Sequence, residues 1–308
     1  MTTAGGPQNA ADAFEAALGE GGSLADAIAR VQADARAGQS AASNLLAVLA
    51  GAGIGMPQSW PAALGHLADA ARNASASARG QLEALGSDRG GPGDDPWTAL
   101  AASTRIEDWT APCEKRVLNA APRTVAIDAF LPQRACAWLI GLARGRVRPA
   151  LVYGPDGEPV VEAGSRNNSS IEFGIGNCDV VLLLVRQRIA STIGVPVGAL
   201  ENSQILHYEV GQQFSRHYDY LDPDLLDVAQ RGQRIVTFLI YLNEGFEGGE
   251  TDFPYLGVRH KGRTGGALYF GNLNAAGLPD PRTLHAGLPP TSGEKWLFSQ
   301  WVRNRARV

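Results

Sequence analysis

When the first 90 residues of this 308-residue chain are slid against themselves by 36, their apolar positions coincide. Leu24, Ala27, Ile28 and Val31 fall opposite Trp60, Ala63, Leu64 and Leu67, and Arg36, Ala42, Leu46 and Leu49 fall opposite Arg72, Ala78, Leu82 and Leu85. Within each unit the apolar spacing is i, i+3, i+4, i+7, the pattern of amphipathic helices. A period in this range means paired helices stacked as a solenoid. The N-terminal third is therefore expected to be a small all-α repeat domain.

The unit "SAASNLLAVLAGAGIGMPQSWPAALGHLADAAR" resembles a Sel1-like repeat, with small residues, a Gly-rich turn and a Trp before its second helix. Such arrays commonly bind other proteins; a helical cap that only stabilises the remainder is an equal reading. The stretch "LGSDRGGPGDDPW" at 85 to 97 has the Gly, Pro and Asp content of a linker. The expected domains are 1–92 (helical repeats), 93–121 (linker and lead-in) and 122–308. Past the linker the texture turns to β: "RTVAIDAFL", "SQILHYEV", "RIVTFLIYL", "GALYFGN", "TLHAGL" and "EKWLFSQWV" are short β-branched or aromatic runs divided by Gly, Pro and Asn. Helices are expected in "PQRACAWLIGLAR" and "CDVVLLLVRQRIASTIG". The fold class is α+β: a sandwich or jelly roll with flanking helices, preceded by the helical repeats.

A net charge of −4 leaves no basic surface to suggest nucleic acid or an anionic membrane as a partner. The N-terminus does not read as a secretory signal, and neither "NLLAVLAGAGIGM" nor "VVLLLV" is long enough to span a bilayer. Cys113, Cys136 and Cys178 lack metal-like spacing and suit reduced thiols buried as small hydrophobes. A cytoplasmic protein is expected.

In "FSRHYDYL", His217 and Asp219 are two residues apart, and in a strand such residues share one face with Cα atoms about 7 Å apart. An isolated His-x-Asp is as well explained by an ordinary strand end. His285, in the β run "TLHAGL", is the third candidate. Two histidines and a carboxylate, with the remaining coordination open, form the facial triad of non-haem Fe(II) oxygenases; a zinc or structural-metal jelly roll uses similar ligands. Lys295 lies on the next predicted strand, expected to return alongside "TLHAGL". A cation buried beside a metal is costly unless it meets an anion, and the natural anion is the distal carboxylate of 2-oxoglutarate. Tyr208 and Thr251 can donate hydroxyl hydrogen bonds to the same carboxylate. A surface lysine is the alternative.

Together "ILHYEVGQQFSRHYDY", "GQRIVTFLIYLNEGFEGGETDFP", "GGALYFGNL" and "LHAGLPPTSGEKWLFSQWVR", preceded by "RTVAIDAFLPQRACAWLIGLA", resemble the prolyl 4-hydroxylase family of Fe(II)/2-oxoglutarate dioxygenases over about 122 to 304. The resemblance implies a double-stranded β-helix with His217, Asp219 and His285 as iron ligands and Lys295, Tyr208 and Thr251 around 2-oxoglutarate. It also places Arg234 and Trp301 on the substrate side. It implies Fe(II), 2-oxoglutarate and dioxygen, with ascorbate as a further cofactor, and hydroxylation of prolyl residues in a protein or peptide, which the repeats would recruit. Two departures bear on peptide specificity: "RNNSS" at 166 to 170, where relatives carry an Arg-Thr-Ser run, and Phe214, where a tyrosine is frequent. Hydroxylation of another side chain or a free amino acid keeps every site residue. An inactive jelly-roll binding module, an iron halogenase and a nucleic-acid demethylase fit the residues less well.

Of the other histidines, His207 is expected on the opposite face from Tyr208, in packing or at the surface. His66 and His260 are expected to be solvated, the latter in a basic turn, and the Gly pairs at 248–249 and 265–266 mark tight β turns.

Overall fold

Serines 23, 59 and 75 each begin a helix by accepting the backbone N–H three residues on, at Asp26, Ala62 and Ala78, the ordinary N-cap device. The helices are α1 (Leu24–Arg36), α2 (Ser40–Ala52), α3 (Trp60–Arg72) and α4 (Ala76–Leu85). Both the first and the second helix of each pair start 36 residues apart, at Leu24 and Trp60 and at Ser40 and Ala76. The repeat seen in the sequence is therefore a repeat of helix pairs. Ile28 and Val31 of α1 pack with Ala42, Leu46 and Leu49 of α2. Two shorter helices follow, α5 (Pro96–Ser103) and α6 (Ile106–Thr110).

The computed structural model describes residues 22–86, 95–153, 159–160 and 164–306, together with Phe14 and Leu18. The N-terminal segment and most of the linker read at 85–97 lie outside the described residues. The chain divides into two compact units, one of residues 1–111 with 173–188, the other of 112–172 with 189–308. The helix expected at 178–194, α8 (Val180–Ile193), begins in the first unit. Its opening run, Val180 to Val185, is buried on every side, as an all-round apolar helix must be. The Val180 N–H donates to Gln81 Oε1 of α4 at 3.0 Å.

In the second unit, α7 (Gln133–Ala143) and α9 (Leu226–Arg231) flank the strands. These are β1 (Arg116–Asn119), β2 (Thr124–Ile127), β3 (Arg148–Pro149), β4 (Val152–Tyr153), β5 (Pro159–Val160), β6 (Ser169–Phe173), β7 (Ser203–Tyr208), β8 (Phe214–His217), β9 (Arg234–Tyr241), β10 (Glu247–Gly248), β11 (Thr251–Phe253), β12 (Val258–His260), β13 (Ala267–Gly271), β14 (His285–Gly287), β15 (Pro290–Ser292) and β16 (Lys295–Arg303). They form a large sheet in the order β1-β2-β13-β9-β16-β7-β6-β3 and a smaller one in the order β12-β11-β14-β8, with two hairpin-sized pairs, β10-β15 and β4-β5. This is a double-stranded β-helix. Its core joins Leu206, Leu239, Leu268 and Leu297 of the large sheet to Phe253 of the small one. Gly248 and Gly249 adopt φ of 68° and 69°, left-handed values that a side chain resists, in the bend between β10 and β11.

Topology corrects one expectation. The strand bearing Lys295 does not run alongside "TLHAGL": β16 pairs with β7 and β9, whereas β14 pairs with β8 and β11. After β14 the chain passes through β15 and a turn at Gly293 (φ 73°) into the other sheet. Lys295 therefore meets the histidines across the sandwich.

Candidate active site

Antiparallel register brings the two histidines together, because His285 of β14 and His217 of β8 are Cα partners. Their rings lie 4.3 Å apart. In each, Nδ1 bonds the backbone carbonyl two residues earlier, Ser215 at 2.7 Å and Thr283 at 3.0 Å. A carbonyl only accepts, so Nδ1 carries the proton and Nε2 keeps its lone pair. Burial, reinforced by the neighbouring His285, lowers the His217 pKa to about 3, so this ring is neutral at physiological pH.

Asp219 reaches the same point from outside the ladder. Strand β8 ends at His217, and Asp219 sits in the bend beyond it, so the same-face argument for a continuous strand does not apply. Its Oδ1 lies 3.6 Å from His217 Nε2 and its Oδ2 3.4 Å from His285 Nε2. One ligand atom from each of the three residues falls within 4.8 Å of the others. Burial pushes the Asp219 carboxyl up, but its polar surroundings, a hydrogen bond from Thr237 among them, outweigh it and hold it well below the usual carboxylate range. Two imidazole nitrogens and one anionic oxygen are a donor set suited to Fe(II).

The three residues line one cavity. At one end stands Lys295, fully buried and the Cα partner of Tyr208, with Thr251 also on the wall. The Lys295 Nζ lies 4.8 Å from the centroid of the Tyr208 ring and finds no hydrogen-bond acceptor among the described residues. Burial lowers its pKa to about 7, opposed by Glu250. Burial also pushes the Tyr208 phenol up to about 12, so it stays a donor. Thr251 Oγ1 bonds the Tyr241 hydroxyl at 2.8 Å. Between this end and the other, Leu206, Leu239 and Leu297 make an apolar belt.

Trp301, Ser299 and Gln204 continue the wall along the large sheet, and Arg166 and Phe214 also line the cavity. Arg234 is not on the wall. Its Nε and Nη2 donate to the two oxygens of Glu201 at 2.8 and 2.9 Å, and its guanidinium lies 3.5 Å from the Trp301 ring centroid. Glu201 also accepts from Arg303 Nε at 2.5 Å. Arg166 stands 4.6 Å over Phe214, which also stacks on His217 with centroids 3.4 Å apart. Of these residues the sequence singled out only Trp301, Arg234, Arg166 and Phe214. Glu201 and Ser299 carry no local motif.

His207 lies away from the cavity, stacked on Trp296 and bonded to Glu294 at 2.8 Å. His260 is not in a solvated turn: it ends β12, is half-buried, and packs 5.5 Å from the Tyr241 ring, and burial lowers its pKa. His66 is half-buried on α3. Only Cys136 of the cysteines is fully buried, and burial pushes its thiol up to about 12. No helix among the described residues is long and apolar enough to cross a membrane.

Sheet topology and donor set together define a 2OG-Fe(II) oxygenase, and residues 203–303 match the model of the 2OG-Fe(II) oxygenase superfamily. The chain is 30% identical over 244 residues to probable prolyl 4-hydroxylase 3 of Arabidopsis thaliana, an alignment covering 71% of this chain and 83% of that protein. It is 33% identical over 213 residues to probable prolyl 4-hydroxylase 6 of the same plant, covering 61% and 72%. The viral collagen prolyl hydroxylase of Paramecium Bursaria Chlorella virus-1, solved with 2OG, superimposes with a TM-score of 0.45 and 30% identity over 58% of this chain and 95% of that one. The chain belongs to the prolyl 4-hydroxylase family of Fe(II)/2-oxoglutarate dioxygenases. It is a 2-oxoglutarate-dependent dioxygenase that uses Fe(II), 2-oxoglutarate and dioxygen, with His217, Asp219 and His285 as its candidate iron site.

Proposed function

We propose that this enzyme hydroxylates prolyl residues of a protein or peptide, as the names of its relatives describe for them. The observation that carries the reading is the buried Lys295 Nζ without an acceptor among the described residues, lining one cavity with two imidazole Nε2 atoms and a carboxylate. His217, Asp219 and His285 hold the iron. Lys295 takes the distal carboxylate of 2-oxoglutarate through a charge-assisted bond, and the hydroxyls of Tyr208 and Thr251 add to it. When bound, iron and 2-oxoglutarate supply the oxidising power: dioxygen is consumed, 2-oxoglutarate becomes succinate and carbon dioxide, and one oxygen atom enters a substrate C–H bond. The belt of Leu206, Leu239 and Leu297 keeps water from the reacting centre. Trp301, backed by Arg234, and Phe214, backed by Arg166, form the wall against which the substrate lies. The helix pairs of residues 24–85 recruit the protein that carries the target residue.

Purified protein supplied with Fe(II), ascorbate, 2-oxoglutarate and a cell extract should release succinate and leave peptides heavier by one oxygen on proline, read by mass spectrometry. His217→Ala, Asp219→Ala and His285→Ala should each abolish both signals. Succinate without hydroxyproline would move the target to another residue or a free amino acid; no succinate above background would sink the enzymatic reading.

A further inference from the structure

Asp219 differs from the two histidines in having no place in a strand, so something other than sheet register must orient it. Two buried polar residues that the proposed chemistry does not use fill that need. Thr237 of β9, 1% exposed, donates from Oγ1 to Asp219 Oδ2 at 2.7 Å, and Asn272, just past β13 and fully buried, donates from Nδ2 to Thr237 Oγ1 at 3.1 Å. Thr237 gives this carboxylate a hydrogen bond of 2.7 Å, whereas each facing imidazole bonds a backbone carbonyl through Nδ1.

The direction of the chain follows from the inventory of protons. A threonine hydroxyl has one hydrogen, and an amide nitrogen can only donate. With Asn272 Nδ2 on its oxygen, Thr237 must send its hydrogen to Asp219. Turning the amide over would place Oδ1 against Thr237, draw that hydrogen away and leave the carboxylate bare. Asn272 is held in the required orientation at the cost of a buried Oδ1 that meets no donor among the described residues. Its backbone is pinned as well, N–H to Ile235 at 2.9 Å and C=O from Asp280 at 3.1 Å.

We infer that Thr237 and Asn272 are positioning residues that engage one oxygen of Asp219 and present the other, Oδ1, as a single metal ligand. This inference rests on the iron-site reading above. A carboxylate bound through both oxygens would take one of the three positions that 2-oxoglutarate and dioxygen require; the Thr237 bond on Oδ2 works against that mode. Partners of this kind around metal ligands typically contribute about 10- to 100-fold in metal affinity or activity.

The test is Co(II) binding to the full-length metal-free protein, by anaerobic calorimetry and by the visible cobalt spectrum, followed by 2-oxoglutarate binding to the cobalt form. Thr237→Val, which keeps the shape and removes the hydroxyl, should weaken Co(II) binding by roughly 10- to 100-fold, alter the spectrum and weaken 2-oxoglutarate chelation. Thr237→Ser should restore all three close to the parent. Asn272→Ala, which frees the Thr237 hydrogen to turn, should weaken Co(II) binding by a smaller factor. Parent-like Co(II) binding by Thr237→Val, or a Thr237→Ser variant as weak as Thr237→Val, overturns the inference. Should Thr237→Val not fold, parent-like binding by Asn272→Ala overturns it equally, and weakened binding with intact Thr237→Ser supports it. A parent protein that binds no Co(II) would instead refute the iron-site reading itself.

Discussion

Two buried cations on one sheet, Lys295 at the start of β16 and Arg234 at the start of β9, have opposite surroundings. Arg234 is paired in bidentate fashion with Glu201, which also takes Arg303, and its flat face covers Trp301. Lys295 has two aromatic rings within 4.8 and 5.9 Å and no acceptor among the described residues. The planar guanidinium suits a permanent, fully bonded ion pair, while an ammonium is a compact point charge that burial neutralises readily. The pKa directions agree: burial lowers that of Lys295 to about 7, whereas the two arginines overcome burial and keep the Glu201 carboxyl below its ordinary value. A buried charge that brings its own partner is part of the frame. One that lacks a partner has a site waiting for an anion.

The contrast is broken most severely by removing Glu201. Glu201→Ala leaves two arginines buried with their shared counter-charge gone, and should cost about 3–5 kcal/mol in urea unfolding; a loss below about 1 kcal/mol would mean that water or other groups replace the carboxylate. A smaller effect, and one on binding instead of folding, is expected at the other end. Lys295→Ala should weaken 2-oxoglutarate binding by about 1.5–3 kcal/mol, roughly 10- to 150-fold, with Co(II) binding nearly unchanged. An unaltered affinity for 2-oxoglutarate would remove Lys295 from the site.

Smaller again is the effect of pH. The free protein loses the Lys295 charge as pH rises through about 7, so 2-oxoglutarate affinity should fall by up to about tenfold per unit above that. Binding there should take up a proton, seen as a buffer-dependent heat. A pH-independent affinity between 6.5 and 9 would contradict the buried amine. The sign for folding is the reverse of a paired lysine. Because the folded pKa lies below the unfolded value of 10.5, the unfolded chain holds more protons across that window, and this group's contribution to stability rises with pH. Smallest of all should be the change in stability of the metal-free protein at pH 7 on Lys295→Met, within about 1 kcal/mol of the parent or in its favour, because a buried cation without a partner contributes little to hold the fold.

Much of this arrangement was legible in the chain. The 36-residue period anticipated helix pairs beginning at Leu24 and Trp60, and the β-branched runs anticipated β7, β9, β13 and β16, because side-chain periodicity is a local property that survives in one dimension. The His-x-Asp spacing, the later His285 and Lys295 pointed to one kind of chemistry, and the structure brings all four to one cavity with Tyr208 and Thr251. Arg234 illustrates the limit: nothing near it in sequence reveals that Glu201, 33 residues earlier, takes its charge. Thr237 and Asn272 are ordinary strand-region residues until Asp219 is set beside them.

Amino-acid order by itself determined the alternation of helix and strand, the turns that require glycine, and the kinds of donor the chain can offer a metal and an acid, since each depends on neighbours a few residues away. Tertiary structure decided which donors meet. Antiparallel register put His285 opposite His217, the bend after β8 and the hydroxyl of Thr237 aimed Asp219, and the crossing from small sheet to large set Lys295 over the histidines instead of beside them. It also decided that Glu201 would quench Arg234 and that the Lys295 ammonium would stand at the cavity without an acceptor among the described residues. The reason is physical: the free energy of a buried charge depends on what surrounds it in space, and residues far apart in the chain supply those surroundings.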